Sequence, residues 1–407
     1  MVNRLLIVAS FDSQLKVCSH IANEFVQQGW NLTVRSPHGA GKQPNLRQIE
    51  EYSEFTKIDF CSLDPQDILQ GSDDYAAIFL IVDGMLTQLV CQYFFSTVAE
   101  RKPSRRPVII TGFVGVGLFD VYIGYQRRLV SDVLFLNAEK DLEDCQDVCR
   151  ALGVNHGGLV VSGLPFLGAI DARPQYEPVK TVLFAGQPDV PGRVIERVYM
   201  LERMLEYATN FPDRKVYFKP RHKPGEKTLH PTRYHYEVLL ASFLKNRSIP
   251  RNFEFVYGPI GDLLNDTQLF ITVSSTAVFE ALEYGCRVAL LSDLGITENF
   301  GNEYFMGSGM LCHSEKLLND DFSCVNWDWL HSHMALDGLG PERVYAATVR
   351  AIENNSTSCA VPYSLENLQR HIATRIDVES RNVKDVRSPL AYTRFYLTRL
   401  LMEKRLL

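Results

Sequence analysis

Residues 180–188 read KTVLFAGQP, a continuous apolar run that ends in a Gly-Gln-Pro turn. This run repeats the character of residues 5–10, LLIVAS, near the start of the chain. Apolar runs without polar alternation are typical of parallel strands whose two faces are both covered by helices. Two such starts, far apart in one chain, indicate two α/β units.

Short β-branched runs and helical stretches alternate after each start. In the first unit we predict strands at residues 5–9, 31–35, 76–82, 107–112, 133–137 and 158–161, with helices at 14–28 and 86–100. In the second unit we predict strands at residues 180–186, 215–219, 253–257, 269–273 and 287–291, with helices at 192–210 and 277–284. The fold class is therefore α/β, with two Rossmann-like, doubly wound domains that face a central cleft.

The proline-bearing stretch 164–178 is the natural linker between the two units. We predict an N-terminal domain at residues 1–172, a C-terminal domain at 173–380 and a C-terminal helix at 381–407. A chain of 407 residues suits two domains of ordinary size. The last helix carries leucines near one face and basic residues elsewhere. We favour its packing back onto the first domain, and the alternative is peripheral contact with an anionic inner-membrane face.

The net charge and the hydropathy of the chain restrict which partners and which location we expect. The net charge of -6 disfavours nucleic acid as a partner of the whole molecule. Because no apolar run approaches the roughly 18 residues of a membrane span, we expect a cytoplasmic protein.

A basic loop, KPRHKPG at residues 219–225, follows the strand predicted at 215–219. Lys219, Arg221 and Lys223 can contact phosphate oxygens, and His222 lies among them. The prolines restrict the backbone of this loop. We favour an anion site here over a solvated basic loop.

A hydroxyl-rich turn follows the strand predicted at residues 269–273. Ser274, Ser275 and Thr276 precede a helix that carries Glu280. Hydroxyls and free N–H groups at a helix start suit a phosphate, although an ordinary N-cap has the same composition. The nearby basic loop favours the phosphate interpretation.

Two further loops of the second unit are predicted to contact the nucleotide. Gly186 and Gln187 follow its first strand, where a small residue allows a ligand to approach the backbone. Tyr257 and Gly258 hold a position that often cradles a nucleobase in such folds. The Gly-x-Gly-x-x-Gly fingerprint is absent from this turn, so we expect no dinucleotide cofactor.

Three aspartates of the first unit are candidates for the catalytic base. Asp12, Asp83 and Asp120 each follow a predicted strand, and a carboxylate can deprotonate an acceptor hydroxyl. A turn or cap role is the alternative for each of them.

Acceptor-binding candidates lie in the same unit. They are Ser13, next to the first aspartate, and Tyr125 and Arg127 in the segment YQRR, which can bind an anionic acceptor or donor. Metal-dependent transfer usually needs an Asp-x-Asp at a strand end, and the adjacent acids Asp73 and Asp74 precede their strand. We therefore expect no essential metal, and the cations and helix dipole would stabilise the leaving group.

The loop KPRHKP and the segment VSSTAVFEALEYG together resemble the His-Pro and Ser/Ser-Thr motifs of bacterial GT-B glycosyltransferases that use CMP-activated acidic sugars. That group comprises sialyl-, polysialyl- and Kdo-type transferases. The segments LLIVASFDSQLK, ITGFVGVGLFDVYIGYQRR and FAGQP look more like an uncharacterised glycosyltransferase branch of this type.

The resemblance implies a GT-B fold and a nucleotide-sugar donor, with CMP-linked nonulosonic acid or Kdo favoured, and a bacterial surface glycan as acceptor. It implies that Lys219 and His222 lie near the CMP phosphate or ribose, that the hydroxyls at 274–276 bind phosphate, and that Glu280 approaches the nucleotide. The family's acidic-acidic-Gly motif is matched here only by Val82-Asp83-Gly84, and Lys223 separates His222 from Pro224. The alternatives are a UDP-sugar transferase or 2-epimerase, and a non-catalytic glycan-binding protein.

Overall fold

Two parallel sheets form the framework of the molecule. The computed structural model describes residues 3–10, 12–39, 57–101, 103, 105–116, 121–170, 176–226, 232–322 and 324–355. The predicted strands of the two units are confirmed, each within a few residues of its expected bounds.

The first sheet has seven strands in the order β3-β2-β1-β4-β5-β6-β7. The strands are β1 Arg4–Ala9, β2 Asn31–Pro37, β3 Ile58–Cys61, β4 Ala77–Ile81, β5 Val108–Gly112, β6 Val133–Leu136 and β7 Leu159–Val161. Every pairing is parallel. Strand order reverses between β1 and β4, so this is a Rossmann-type sheet with its crevice at that switch.

The second sheet repeats the same topology with six parallel strands in the order β10-β9-β8-β11-β12-β13. The strands are β8 Thr181–Ala185, β9 Lys215–Lys219, β10 Phe253–Phe255, β11 Leu269–Thr272, β12 Arg287–Leu291 and β13 Leu311–Cys312. Its switch lies between β8 and β11, where ligands of doubly wound sheets bind at the carboxyl ends of the strands.

Helices cover both faces of the sheets. They are α1 Asp12–Gln27, α2 Pro65–Ile68, α3 Gly84–Arg101, α4 Val121–Arg128, α5 Glu139–Leu152, α6 Val194–Asn210, α7 Tyr236–Phe243, α8 Ile260–Leu264, α9 Ala277–Glu283, α10 Ser314–Leu318, α11 Trp327–His333 and α12 Gly340–Asn355. The central strands β1, β4, β5, β6, β8, β11 and β12 are mostly apolar and buried, which explains their continuous hydrophobic runs.

Helix α12 joins the two units. Its side chains Val344 and Ala347 are buried in the core of the first unit, and Tyr345 meets Phe25 of α1 edge-to-face at 5.0 Å. The prediction assigned residues 340–355 to the second domain, whereas their apolar face completes the first core. The proposed boundaries at 172 and 380 stay predictions, and the helix predicted at 381–407 lies outside the described residues.

The two units also make direct polar contacts on the side of β5 and β6. The Ala335 amide donates to the Asn137 carbonyl oxygen at 3.0 Å, and helix α11 packs against α5. Lys16 of α1 and Glu280 of α9 form an ion pair of 2.7 Å between the units. These contacts hold the carboxyl edges of the two sheets against one another across a central cleft.

Candidate functional site

Three loops meet at the carboxyl edge of the second sheet. Residues 186–188 follow β8, residues 220–225 follow β9, and residues 273–276 follow β11; we call them together the second-sheet edge. The pairing of Ala185 with Lys219 keeps the ends of β8 and β9 level. The Thr272 hydroxyl donates to the Ala185 carbonyl oxygen at 2.8 Å and links β11 to the same strand. The basic loop and the hydroxyl turn therefore flank one central strand at the switch point.

His222 shapes the basic loop from inside. Its side chain is 6% exposed, and its Nε2 accepts a hydrogen bond from the Thr232 amide at 3.0 Å. Nδ1 must then carry the proton that is donated to the Lys223 carbonyl oxygen at 2.8 Å. Both ring nitrogens are thus bonded, one to the Lys223 carbonyl oxygen and one to the Thr232 amide, which favours a positioning role; the direct nucleotide contact that the resemblance implies stays a prediction.

His235 supports the same loop from below. Its Nε2 donates to the His222 carbonyl oxygen at 2.7 Å, and its Nδ1 accepts from the Glu237 amide. Burial lowers the pKa of His235, which favours the neutral ring that this pair of bonds requires.

The cations of the loop have different environments. Arg221 and Lys223 are exposed, and Lys219 is half-buried at the end of β9. The Lys223 ammonium lies 5.8 Å from the centre of the Tyr257 ring. The loop therefore presents positive charge at the sheet edge on a backbone that two buried histidines hold in place.

The three hydroxyls of residues 274–276 have different roles. Ser274 is buried and donates to the Gly301 carbonyl oxygen at 3.1 Å. Ser275 Oγ accepts from the Ala277 amide at 3.2 Å, and Thr276 Oγ1 accepts from the Val116 amide of the first unit at 3.4 Å. Because the last two accept, each keeps a hydroxyl proton that it can donate to an anion.

Gly186 and Gln187 lie on the central strand's loop. A Cβ on Gly186 would come within 2.9 Å of the Tyr236 ring, so the strand end needs glycine here for packing. The Gln187 side-chain oxygen Oε1 is buried without a hydrogen-bond partner among the described residues. The Gln187 position thus offers an unused acceptor beside the proposed anion site.

A buried arginine braces this loop. Arg197 of α6 is 1% exposed and donates to the carbonyl oxygens of Gln187 and Pro188 and, at 3.1 Å, to that of Tyr234. Burial lowers its pKa, and its guanidinium lies 4.7 Å from the centre of the Tyr236 ring. Its charge adds to the positive potential at the sheet edge.

Tyr257 and Glu280 are already engaged. The Tyr257 hydroxyl donates to Glu237, and burial, together with this bond, raises the pKa of Tyr257. Gly258 has a φ of 124°, a conformation that favours glycine, and a Cβ there would meet open space. Glu280 is paired with Lys16, so a ribose that sought this carboxylate would have to share it.

The three aspartates predicted as catalytic bases differ in their positions. Asp83 Oδ1 accepts from the amides of Met85 and Leu86 at 3.0 Å each and caps α3. Asp12 begins α1 and Ser13 follows it in the first turn, half-buried, while Asp120 lies outside the described residues. Their catalytic and acceptor-binding roles remain predictions.

A second buried arginine braces the first-unit edge. Arg128 donates to the carbonyl oxygens of Gly112, Gly124 and Val82 at 3.0, 3.3 and 3.2 Å. Burial lowers its pKa to about 10. Its neighbour Arg127, half-buried, lies over Gly84, where a Cβ would come 3.1 Å from the arginine Cδ. Arg128 thus links the ends of β4 and β5, next to the switch between β1 and β4.

A cavity of about 320 Å³ lies between the units, at the carboxyl ends of β5 and β6. Residues of both units line this interdomain cavity: Phe113, Gly115, Val116, Val121, Tyr122, Tyr125, Asn137, Ala138, Lys140, Asp141, Asp144, Glu303, Tyr304, Met306 and His333. Of the predicted acceptor residues only Tyr125 lines it, and the Tyr125 hydroxyl donates to Asp141 at 3.1 Å.

The cavity adjoins the hydroxyl turn. A Cβ on Gly115 would come 2.8 Å from Thr276 Oγ1, so the two units approach there too closely for a larger residue. The contact between Gly115 and Thr276 therefore separates the cavity from the second-sheet edge.

Several residues of this arrangement have no sequence signal. Arg197 and Arg128 look like ordinary surface cations of amphipathic helices, and His333 and Glu303 lie in segments with no motif. Their positions follow from how the two units pack, so only the fold could reveal them. In the YQRR segment, Arg128 makes the structural hydrogen bonds, whereas the predicted acceptor-binding residue is its neighbour Arg127.

The described residues contain neither a cluster of metal ligands nor a membrane-spanning helix. Within the described ranges, no three His, Cys, Asp or Glu side chains come together as a metal site. None of the described helices has the length and apolarity needed to cross a bilayer.

Solved structures with the same fold include several sugar-nucleotide enzymes. A "putative UDP-N-acetylglucosamine 2-epimerase" from Listeria monocytogenes has a TM-score of 0.57 at 13% identity, covering 87% of this chain and 97% of its own. S. aureus MnaA with UDP gives 0.56 at 12% identity, covering 89% and 100%. The Methanocaldococcus jannaschii UDP-GlcNAc 2-epimerase with UDP-GlcNAc and UDP gives 0.54 at 14%, covering 85% and 99%. At these identities the likeness establishes the GT-B-type fold alone.

No curated protein matches the sequence. A family profile does match, over residues 5–348, and its description is "Putative glycosyltransferase (DUF6716)". The match spans both sheets and helix α11. The chain therefore belongs to this family and is an enzyme of the glycosyltransferase class with a GT-B fold.

Proposed function

We propose that this enzyme moves a sugar from a nucleotide-activated donor to an acceptor hydroxyl, with the donor phosphate at the second-sheet edge. The observation that carries the proposal is the convergence of two anion-binding elements on one strand. The basic loop after β9 and the hydroxyl turn after β11 lie on either side of β8. A phosphate at the end of β8 would contact both.

The second-sheet edge would have to stabilise the phosphate that leaves the donor. When the bond between the anomeric carbon and the phosphate oxygen breaks, negative charge grows on that oxygen. Lys219, Arg221 and Lys223 supply fixed positive charge, and the hydroxyls of Ser275 and Thr276 supply donors. The cleft between the units would limit hydrolysis by water.

The acceptor hydroxyl must also lose its proton. Among the predicted bases, Asp83 already accepts two backbone bonds at the start of α3, which makes it the weaker candidate. Asp12 lies one turn before Lys16 on α1, and the Lys16 side chain reaches Glu280 of the second unit. We therefore favour Asp12 over Asp83 as the base supplied by the switch of the first sheet.

The proposal also concerns which nucleobase the donor carries. The motif resemblance favours a CMP-linked nonulosonic acid or Kdo, with a bacterial surface glycan as acceptor. His222 weakens one step of that reasoning, since both of its ring nitrogens are already hydrogen-bonded, to Lys223 and Thr232. A UDP-sugar is the second candidate, because solved proteins with the same fold bind UDP.

A UDP-sugar 2-epimerase is the alternative reaction on this fold. Epimerisation rearranges the donor and needs no second substrate, whereas transfer needs a place for an acceptor. The interdomain cavity beside Thr276 favours transfer. A non-catalytic glycan-binding protein would use the cavity and leave the second-sheet edge without a function.

The experiment is a thermal-shift panel with CMP, CDP, UDP, GDP and ADP, each with and without EDTA. A ligand that binds only the folded state raises the melting temperature by mass action. We expect one nucleotide class to raise it, insensitively to EDTA, and the Lys223→Ala variant to weaken the shift. No shift with any nucleotide would reject the proposal, and a UDP-only shift would reject the CMP donor.

A further inference from the structure

The polar groups that line the interdomain cavity are mainly hydrogen-bond acceptors. Asn137 is 3% exposed; its amide nitrogen donates to the Gly115 carbonyl oxygen at 2.9 Å, and its Oδ1 has no partner among the described residues. Glu303 Oε2 is likewise buried without a partner in the described part of the chain. Burial raises the pKa of Glu303.

Two more acceptors complete the set. Asp141 accepts the Tyr125 hydroxyl through Oδ1, and burial raises its pKa. His333 Nδ1 lies 2.9 Å from the Trp329 carbonyl oxygen, which can only accept, so Nδ1 carries the proton. Burial lowers the pKa of His333, and the neutral ring keeps its lone pair on Nε2.

Acidic side chains outnumber basic ones in the cavity wall. Lys140 and Asp144 neutralise one another through contacts of 3.0 and 3.2 Å on one helix face. Asp141 and Glu303 are left without a cationic partner in the described structure. An anionic ligand would meet these carboxyl groups in a partly desolvated space, where like charges repel strongly.

Aromatic rings form the rest of the wall. Tyr125 is buried against Phe113 at 5.4 Å, and Tyr304 contributes from the second unit. Small-molecule sites combine such apolar surface with a few convergent polar groups. A volume of about 320 Å³ is near the lower end of the usual range for such sites, roughly 300–1,000 Å³, so a single ring fits better than a chain of rings.

We propose that this cavity binds one hydroxylated ring, neutral or amino-bearing and not anionic, as the acceptor of the transfer reaction. Buried acceptors without partners cost free energy, and ligand hydroxyl or ammonium groups would satisfy them. The ring's apolar face would lie on the aromatic wall. This assignment rests on the proposed function for its acceptor role, and it replaces the anionic acceptor predicted from Arg127.

The test uses three probes that share one ring and differ in charge: D-glucosamine, methyl β-D-glucoside and D-glucuronate. Binding is measured by calorimetry at neutral pH, where the first is cationic, the second neutral and the third anionic. We expect the dissociation constant of glucosamine to be at least about tenfold below that of glucuronate, the size of one charge-assisted hydrogen bond. The glucoside should bind with intermediate affinity.

Variants connect the binding to the cavity. Met306 lines the cavity and is 61% exposed, so Met306→Trp can fill the space without disturbing the core, and Met306→Leu is the matched control. Glu303→Gln should remove most of the preference for glucosamine, and Glu254→Gln, on the exposed face of β10, should not. Melting temperatures of all four variants identify any that fold poorly.

The outcomes separate the two proposals. Binding of glucosamine and the glucoside that Met306→Trp abolishes and Met306→Leu preserves supports the assignment. It is overturned if no probe binds, so that the cavity holds only water, if glucuronate binds best, or if Met306→Trp changes nothing. In the same samples, a CMP or UDP shift without sugar binding overturns only the cavity assignment. Sugar binding without any nucleotide shift refutes the nucleotide-sugar donor and the acceptor role that depends on it.

Discussion

Replacing His222 with alanine tests whether this residue positions the basic loop or contacts the nucleotide. The side chain joins the basic loop to Thr232: Nε2 accepts from the Thr232 amide at 3.0 Å, and Nδ1 donates to the Lys223 carbonyl oxygen at 2.8 Å. Alanine removes both bonds. His235 would still hold the His222 carbonyl oxygen, at 2.7 Å.

The size of the effect follows from these contacts. Two neutral hydrogen bonds contribute about 1 kcal/mol each, and a buried amide left unpaired adds on the order of 1 kcal/mol more. We expect His222→Ala to lower the free energy of unfolding by about 2–3 kcal/mol. For a unit of this size that corresponds to a fall in melting temperature of roughly 4–12 °C.

The assay compares stability with nucleotide affinity and its salt dependence. In His222→Ala the loop loses its geometry, so affinity for every nucleotide that binds should fall together with the melting temperature. The matched control is Lys223→Ala: its side chain is exposed, so stability should change little while the salt dependence of binding becomes shallower. A His222→Ala protein that is as stable as the wild type but has lost CMP binding would refute the positioning role and restore the direct contact.

Three further predictions concern other parts of the fold. Arg106→Met leaves Asp132, its buried partner at 2.7 Å, without a cation, and urea unfolding should show a loss of about 3–5 kcal/mol; a loss under about 1 kcal/mol would contradict this. Lys16→Met breaks the partly exposed pair with Glu280, so melting temperature should fall slightly at low salt and hardly at high salt, and equal falls would be inconsistent with an ion pair. Burial lowers the pKa of His156, so its stabilising contribution is present above pH 6.5 and is lost as pH falls below that value; His156→Gln should flatten the dependence, and an unchanged slope would count against it.

Much of the fold could be predicted because the central strands are covered on both faces. Runs such as residues 180–186 need no tertiary information to be recognised as buried parallel strands. Two edge strands were missed for the converse reason. Ile58–Cys61 is only partly buried and Leu311–Cys312 has only two residues, so neither has a distinctive pattern.

The candidate site could be predicted only in part. Loops at the carboxyl ends of strands are fixed by topology, so the basic loop and the hydroxyl turn could be located from the sequence. The direction of a side chain within a loop depends on its neighbours. The His222 ring is held in place partly by Thr232, ten residues later, whose amide donates to its Nε2.

The cavity could not be predicted, because its wall combines distant segments. Asn137 and Asp141 come from the first unit, and Glu303 and His333 from the second. Each is an ordinary polar residue in its own segment. Only the packing of α11 on α5 brings them around one space.

The central claim is that the second-sheet edge holds the phosphate of a nucleotide-sugar donor, and release of free nucleotide tests it most directly. CMP-linked acidic sugars and UDP-sugars would be incubated with the wild type and with a Ser275→Ala/Thr276→Ala double variant, with glucosamine or methyl glucoside as acceptor. We predict release of one nucleotide class, lowered at least about tenfold in the double variant, as expected when donors to a developing charge are removed. No release from any donor, or equal release by both proteins, would contradict the account.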